Sequence, residues 1–179
     1  TIPLDDAIPF IEYFVIPYML WFAYVAIGIF YFFIHSKEEF YKMTAFLFIG
    51  MTICLIIFTV WPSGQNLRPT FIGRNNVFTN MIRFIYSIDT STNVFPSIHV
   101  YNSIGVHLAF HNNEALRKNK AVMIGSFILM VSICLSTVFL KQHSVLDGLG
   151  GIALSIVMYK LVYKTEHSFL QGKLDQQFN

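Results

Sequence analysis

Residues 14–34, FVIPYMLWFAYVAIGIFYFFI, run for 21 positions without a charge. About 20 apolar residues wound as a helix cross the hydrocarbon core of a bilayer, so this stretch alone makes lipid part of the solvent. Residues 43–61 and 121–140 repeat the pattern, again with no charge. Two further apolar stretches carry polar residues. Stretch 95–110 holds His99 and His107, and stretch 145–162 holds Asp147 near its start and Lys160 near its end. The reading is five spans in an all-α polytopic transmembrane helical bundle. They form a single membrane-embedded domain over residues 1–179.

Composition agrees. Of 179 residues, 55% are hydrophobic and 12% charged, against roughly 25% charged in an average soluble domain. Mean hydropathy is +0.56. A disordered chain, a coiled coil and an ordinary soluble domain are excluded. A net charge of +2 is too small to argue for a nucleic-acid partner. Cys54 and Cys134 each sit in a long apolar run, where free cysteine behaves as a small hydrophobe. No signal peptide is visible. Because the chain starts at Thr1, an N-terminal piece is expected to precede it.

The linkers sort by charge. Lys37 and Lys42 separate the first two spans, Arg117, Lys118 and Lys120 separate the third and fourth, and Lys160, Lys164 and Lys173 end the chain. The opposite side has only Arg68, Arg74, Arg83 and Lys141, although the long loop 62–93 lies there. The positive-inside rule makes the first set cytoplasmic. Loop 62–93, with a short helix expected over Val77–Ile88, and the turn at Lys141 then face outward. A sixth span before Thr1 would return the N-terminus to the cytoplasm. Tyr13, Tyr18, Trp21, Tyr24, Tyr31 and Trp61 read as lipid-facing or interfacial anchors.

Ionisable groups at membrane depth are costly and by default mark function. Here they gather at the outer boundary. Arg68 follows the second span, Ser97 and His99 open the third, and Lys141, His143 and Asp147 join the fourth to the fifth. His143 and Asp147 stand four apart, one turn on a helix face. A carboxylate there fixes the imidazole tautomer and stabilises developing positive charge; a simple cap of the fifth span is the plainer alternative. Ser97, after Pro96, suits a helix N-cap whose free N–H groups favour an anion. Arg68 can bind phosphate through its planar fork. His35, His107, His111 and His167 read as structural or solvated. No carboxylate cluster suits Mg²⁺ and no His/Cys set suits zinc; no metal and no cofactor are expected. Gly148, Gly150 and Gly151, with Ser132, Ser136 and Ser155, allow close helix approach beside these residues.

Together these residues resemble the type-2 phosphatidic acid phosphatase family, also called lipid phosphate phosphatases. That family shows a lysine followed after six residues by Arg-Pro, then Pro-Ser-Gly-His, then Ser-Arg, five residues, His, three residues and Asp. This chain has Arg68-Pro69, Pro96-Ser97-Ile98-His99, and Ser136-Thr137 followed at the same spacing by His143 and Asp147. Trp61, Ile98 and Thr137 replace the family's lysine, glycine and arginine. This variant pattern looks more like the branch related to inositol phosphorylceramide synthases.

The resemblance implies a metal-independent route through phosphohistidine. His143 is then the nucleophile, Asp147 its orienting carboxylate and His99 the general acid. Arg68, Ser97 and Lys141 hold the phosphoryl oxygens. The substrate is a membrane lipid phosphate or diphosphate, hydrolysed at the outer face. A lipid phosphotransferase is the alternative. A catalytically inactive relative and a non-enzymatic membrane protein, such as a haem or quinone binder, are further ones. A small chain without a signal peptide suits a bacterial cytoplasmic membrane, with the site on its extracytoplasmic side.

Overall fold

The computed structural model describes residues 1–164. Two expectations, a structural or solvated His167 and a cytoplasmic Lys173, lie outside these residues. Among the described residues the chain forms eight α-helices and no strand. They are α1 (Pro3–Ala7), α2 (Val15–His35), α3 (Lys37–Val60), α4 (Val77–Ile88), α5 (Ile98–Asn112), α6 (Glu114–Lys118), α7 (Lys120–Phe139) and α8 (Val145–Tyr159). A 3₁₀ turn, Glu12–Phe14, leads into α2, and a π turn, Lys160–Lys164, extends α8. Four helices are long and apolar enough to cross a membrane, starting from Glu12, Lys37, Lys120 and Val145.

The expected third span departs from this. Helix α5 has only 15 residues, about 22 Å at 1.5 Å per residue, short of the roughly 30 Å hydrocarbon core. It packs against α2, α3, α7 and α8 and so runs through the middle of the bundle. Protein rather than lipid surrounds it, which is why it tolerates Asn102 and Ser103, both buried. Packing here relies on van der Waals contact and close approach, because lipid tails are as apolar as the side chains. The Tyr101 ring stacks on Phe46 at 4.9 Å, and its hydroxyl donates to the Phe46 carbonyl at 2.5 Å. A Cβ at Gly50 would collide with that Tyr101 ring.

The connections are tight at one end. Ser36 alone separates α2 from α3, accepting the Glu39 N–H at 3.3 Å as N-cap. At the same end the Tyr159 hydroxyl donates to Asn112 Oδ1 at 3.2 Å. At the other end, amphipathic α4 packs on the start of α2 and the end of α7. Its Ile82 and Ile85 pack with Val15, Tyr18 and Leu140.

The aromatic anchors divide. Trp61 and Tyr13 are exposed, at 77% and 56%, but Tyr18 and Tyr24 are buried at 3% and 5%. The latter two are not lipid-facing: with Gly28 and Phe32 they form the inward stripe of α2. Tyr24 and His107 both meet the Ser126 hydroxyl, at 2.6 and 3.0 Å, and His35 bonds the Tyr31 carbonyl at 2.8 Å.

Candidate active site

The turn from α7 to α8 sets the site. Helix α7 closes in a Schellman motif: the Gln142 N–H bonds the Thr137 carbonyl at 2.9 Å and the Lys141 N–H bonds Val138 at 3.1 Å. This motif requires a left-handed residue, usually glycine; here it is Lys141, at φ 52°. The His143 N–H also bonds the Thr137 carbonyl, at 3.0 Å. Residues 142 and 143 therefore leave the helix end in fixed directions.

Ser144 then caps α8 in a capping box. Its hydroxyl accepts from Leu146 at 3.2 Å and its own N–H donates to Asp147 Oδ2 at 2.8 Å. The same Oδ2 lies 3.6 Å from His143 Nδ1. Asp147 thus caps the helix and also faces the imidazole, beyond hydrogen-bond distance. His143 itself precedes the N-cap. The pair meets because the capped turn folds His143 back over the first turn of α8, not because both residues sit on one helical face.

Helix α5 opens beside it. Ser97 is fully buried, caps α5 and donates its N–H to the Asp147 carbonyl at 2.9 Å. The Phe95–Pro96 peptide is cis. Glycine permits this approach: a Cβ at Gly151 would lie 2.8 Å from the Ser97 carbonyl, and one at Gly150 would meet the Phe95 ring at 2.5 Å. Gly148 is less demanding, with only Val100 at 3.9 Å. Two helix N-termini, each with a partial positive charge, converge here.

His99 sits in the first turn of α5, held between Tyr18 at 4.6 Å and Trp21 at 4.4 Å, ring centre to ring centre. Its ring lies 5.8 Å from that of His143. Both histidines line a cavity of about 190 Å³, which Asp89, Thr92, Asn93 and Gln142 also line.

The expected cations are placed differently. Arg68 NH1 donates to the carbonyls of Tyr86 (3.4 Å) and Asp89 (2.6 Å), and NH2 donates to Gln142 Oε1 at 2.5 Å. Its guanidinium lies 4.5 Å from the Tyr86 ring centre. Arg68 thus reaches the cavity through Gln142. Lys141 is buried, and its ammonium donates to the Asp5 carbonyl at 2.5 Å. It ends on α1 rather than in the cavity.

One residue at the site carried no signal in the sequence. Asp5, 2% exposed, accepts from the Ser144 hydroxyl (2.7 Å) and from the N–H groups of Val145 and Ile2 (both 2.8 Å). Nothing in a linear reading links it to residues 140 positions away. Gln142, by contrast, could have been weighed, since it adjoins His143.

A family model described as the PAP2 superfamily matches residues 63–169. The chain belongs to the PAP2 superfamily. PAP2 members are generally phosphatases or phosphotransferases. The PAP2 match takes in Arg68, Ser97, His99, Lys141, His143 and Asp147, and leaves Asp5, Tyr18 and Trp21 outside it. No curated protein and no solved structure matches the chain.

Proposed function

We propose that this PAP2 chain is an integral-membrane lipid phosphatase, hydrolysing a lipid phosphate or diphosphate at the outer face through a phosphohistidine. The observation that carries the reading is His143 held 3.6 Å from Asp147, with His99 across the same cavity.

Asp147 stabilises an Nδ1–H and leaves His143 Nε2 to attack phosphorus. The N–P bond forms as the bond from phosphorus to the lipid oxygen breaks, and His99 gives its proton to that oxygen. Water then attacks phosphorus. The N–P bond breaks, His99 takes a proton from the water, and phosphate departs. The N–H groups opening α5 behind Ser97 meet the phosphoryl oxygens as charge redistributes. Lys141 holds the turn rather than the substrate. The outer-face assignment rests on the basic residues gathered at the opposite end.

The same site serves a phosphotransferase of the inositol phosphorylceramide synthase type when a lipid alcohol replaces water. What supports that second reading is the sequence pattern, with Trp61, Ile98 and Thr137 where the family has lysine, glycine and arginine.

The test is phosphate release from a panel of lipid phosphates in detergent with EDTA. Wild type is expected to release phosphate and His143→Ala not to. Equal release by both would remove His143 as nucleophile. Product that appears only with diacylglycerol, ceramide or inositol added would select the transferase.

A further inference from the structure

The Gln142 side chain is 2% exposed, lines the cavity, and offers an Nε2 with no hydrogen-bond partner among the described residues. Buried polar groups in native proteins are overwhelmingly partnered, so this donor calls for an acceptor. Its direction is not arbitrary. Arg68 carries only donors, so the amide must turn its oxygen to Arg68, at 2.5 Å, and its N–H groups elsewhere. The chain turn adds a second constraint, because Gln142 and His143 leave it tied to one carbonyl, that of Thr137. Both cations expected to hold phosphate are engaged within the protein: Arg68 through NH1 and NH2 with Tyr86, Asp89 and Gln142, its Nε having no partner among the described residues, and Lys141 with Asp5.

We propose that Gln142 Nε2–H is the donor to a phosphoryl oxygen of the substrate attacked by His143, and that Arg68 is a positioning residue acting through Gln142. This rests on the phosphoryl-transfer reading above. The guanidinium polarises the amide through a charge-assisted bond, which strengthens its N–H as a donor. A neutral amide anchored by a half-buried cation thereby does the work of a cation placed directly on the substrate.

Two variants test it. Gln142→Glu keeps an oxygen for Arg68 but replaces the N–H donor with a carboxylate oxygen and adds a negative charge. Gln142→Met removes both while keeping length and neutrality. The readouts are kcat, KM, inhibition by orthovanadate, and the thermal shift that orthovanadate gives the purified protein in detergent. Removing one such preorganised donor is expected to lower kcat by about 10²–10³-fold. Both variants should show that loss, with vanadate inhibition and thermal shift falling in parallel. If Gln142→Glu keeps wild-type kcat and vanadate affinity, the residue only braces Arg68 and the proposal is overturned. If Gln142→Glu loses activity but Gln142→Met keeps it, charge repulsion is the cause and the proposal again fails. A wild type that binds vanadate in a Gln142-dependent way but turns nothing over would overturn the hydrolase reading and leave this one standing.

Discussion

Ser144 donates its hydroxyl to Asp5 Oδ2 at 2.7 Å, joining residues 139 positions apart. The adjacent Val145 N–H takes the other carboxylate oxygen at 2.8 Å. A short N-terminal helix outside the family match therefore closes the start of α8, next to His143.

Asp5→Ala leaves one buried donor, the Ser144 hydroxyl, and two half-buried N–H groups without their acceptor. Each such group costs about 1–3 kcal/mol, so the thermal midpoint in detergent should fall clearly. Asp5→Asn, which keeps one acceptor, should fall less. A midpoint unmoved by Asp5→Ala would show that α1 is not a brace.

The same carboxylate gives a pH signature. Burial raises its pKa, but bonds from Val145, Ser144 and Ile2 outweigh this and hold it below the ordinary 3.8. A depressed carboxyl stabilises the fold fully above its unfolded value, and the contribution drains away as pH falls through the lower folded value. Wild type should therefore lose thermal stability below about pH 4, and Asp5→Asn should lose less over that window. Identical acid profiles would refute the assignment.

Asp147→Asn separates the two duties of that residue. Asparagine also accepts at a helix N-terminus, so the fold should persist. The charge facing His143 is gone, and kcat should drop on the order of 10²–10⁴-fold. Paired kinetics and thermal melts check this; a large fall in stability with unchanged kcat would reverse the two roles.

Gly151→Ala pushes a Cβ against the Ser97 carbonyl, a backbone atom that cannot swing aside. Overpacking of this kind costs about 1–3 kcal/mol, and activity should fall with it as α5 and α8 separate. Gly125→Ala is the control, because a Cβ there meets nothing within 4 Å. Equal melting behaviour of the two variants would contradict the close approach.

Lys141→Gly should leave KM unchanged, since the ammonium is on the Asp5 carbonyl rather than in the cavity. Glycine also takes the left-handed turn without strain. A marked rise in KM would return Lys141 to the substrate.

The sequence by itself determined the lipid-embedded helical class, because long uncharged runs have few other stable solutions. Local chemistry was equally legible. Ser97 caps α5, and Val77–Ile88 is a helix with the expected bounds. His143 and Asp147 do meet, but through the capped turn that precedes α8 rather than along one helical face. What only the tertiary structure decided is where long side chains end. Tyr18 is buried against His99 rather than meeting lipid, with half-buried Trp21 on the ring's other side, because α2 turns one stripe toward α5. Arg68 and Lys141 end on Gln142 and Asp5. Spacing constrains residues a turn apart through backbone geometry, but a flexible four- or five-atom side chain goes to whichever distant acceptor the packed helices bring within reach.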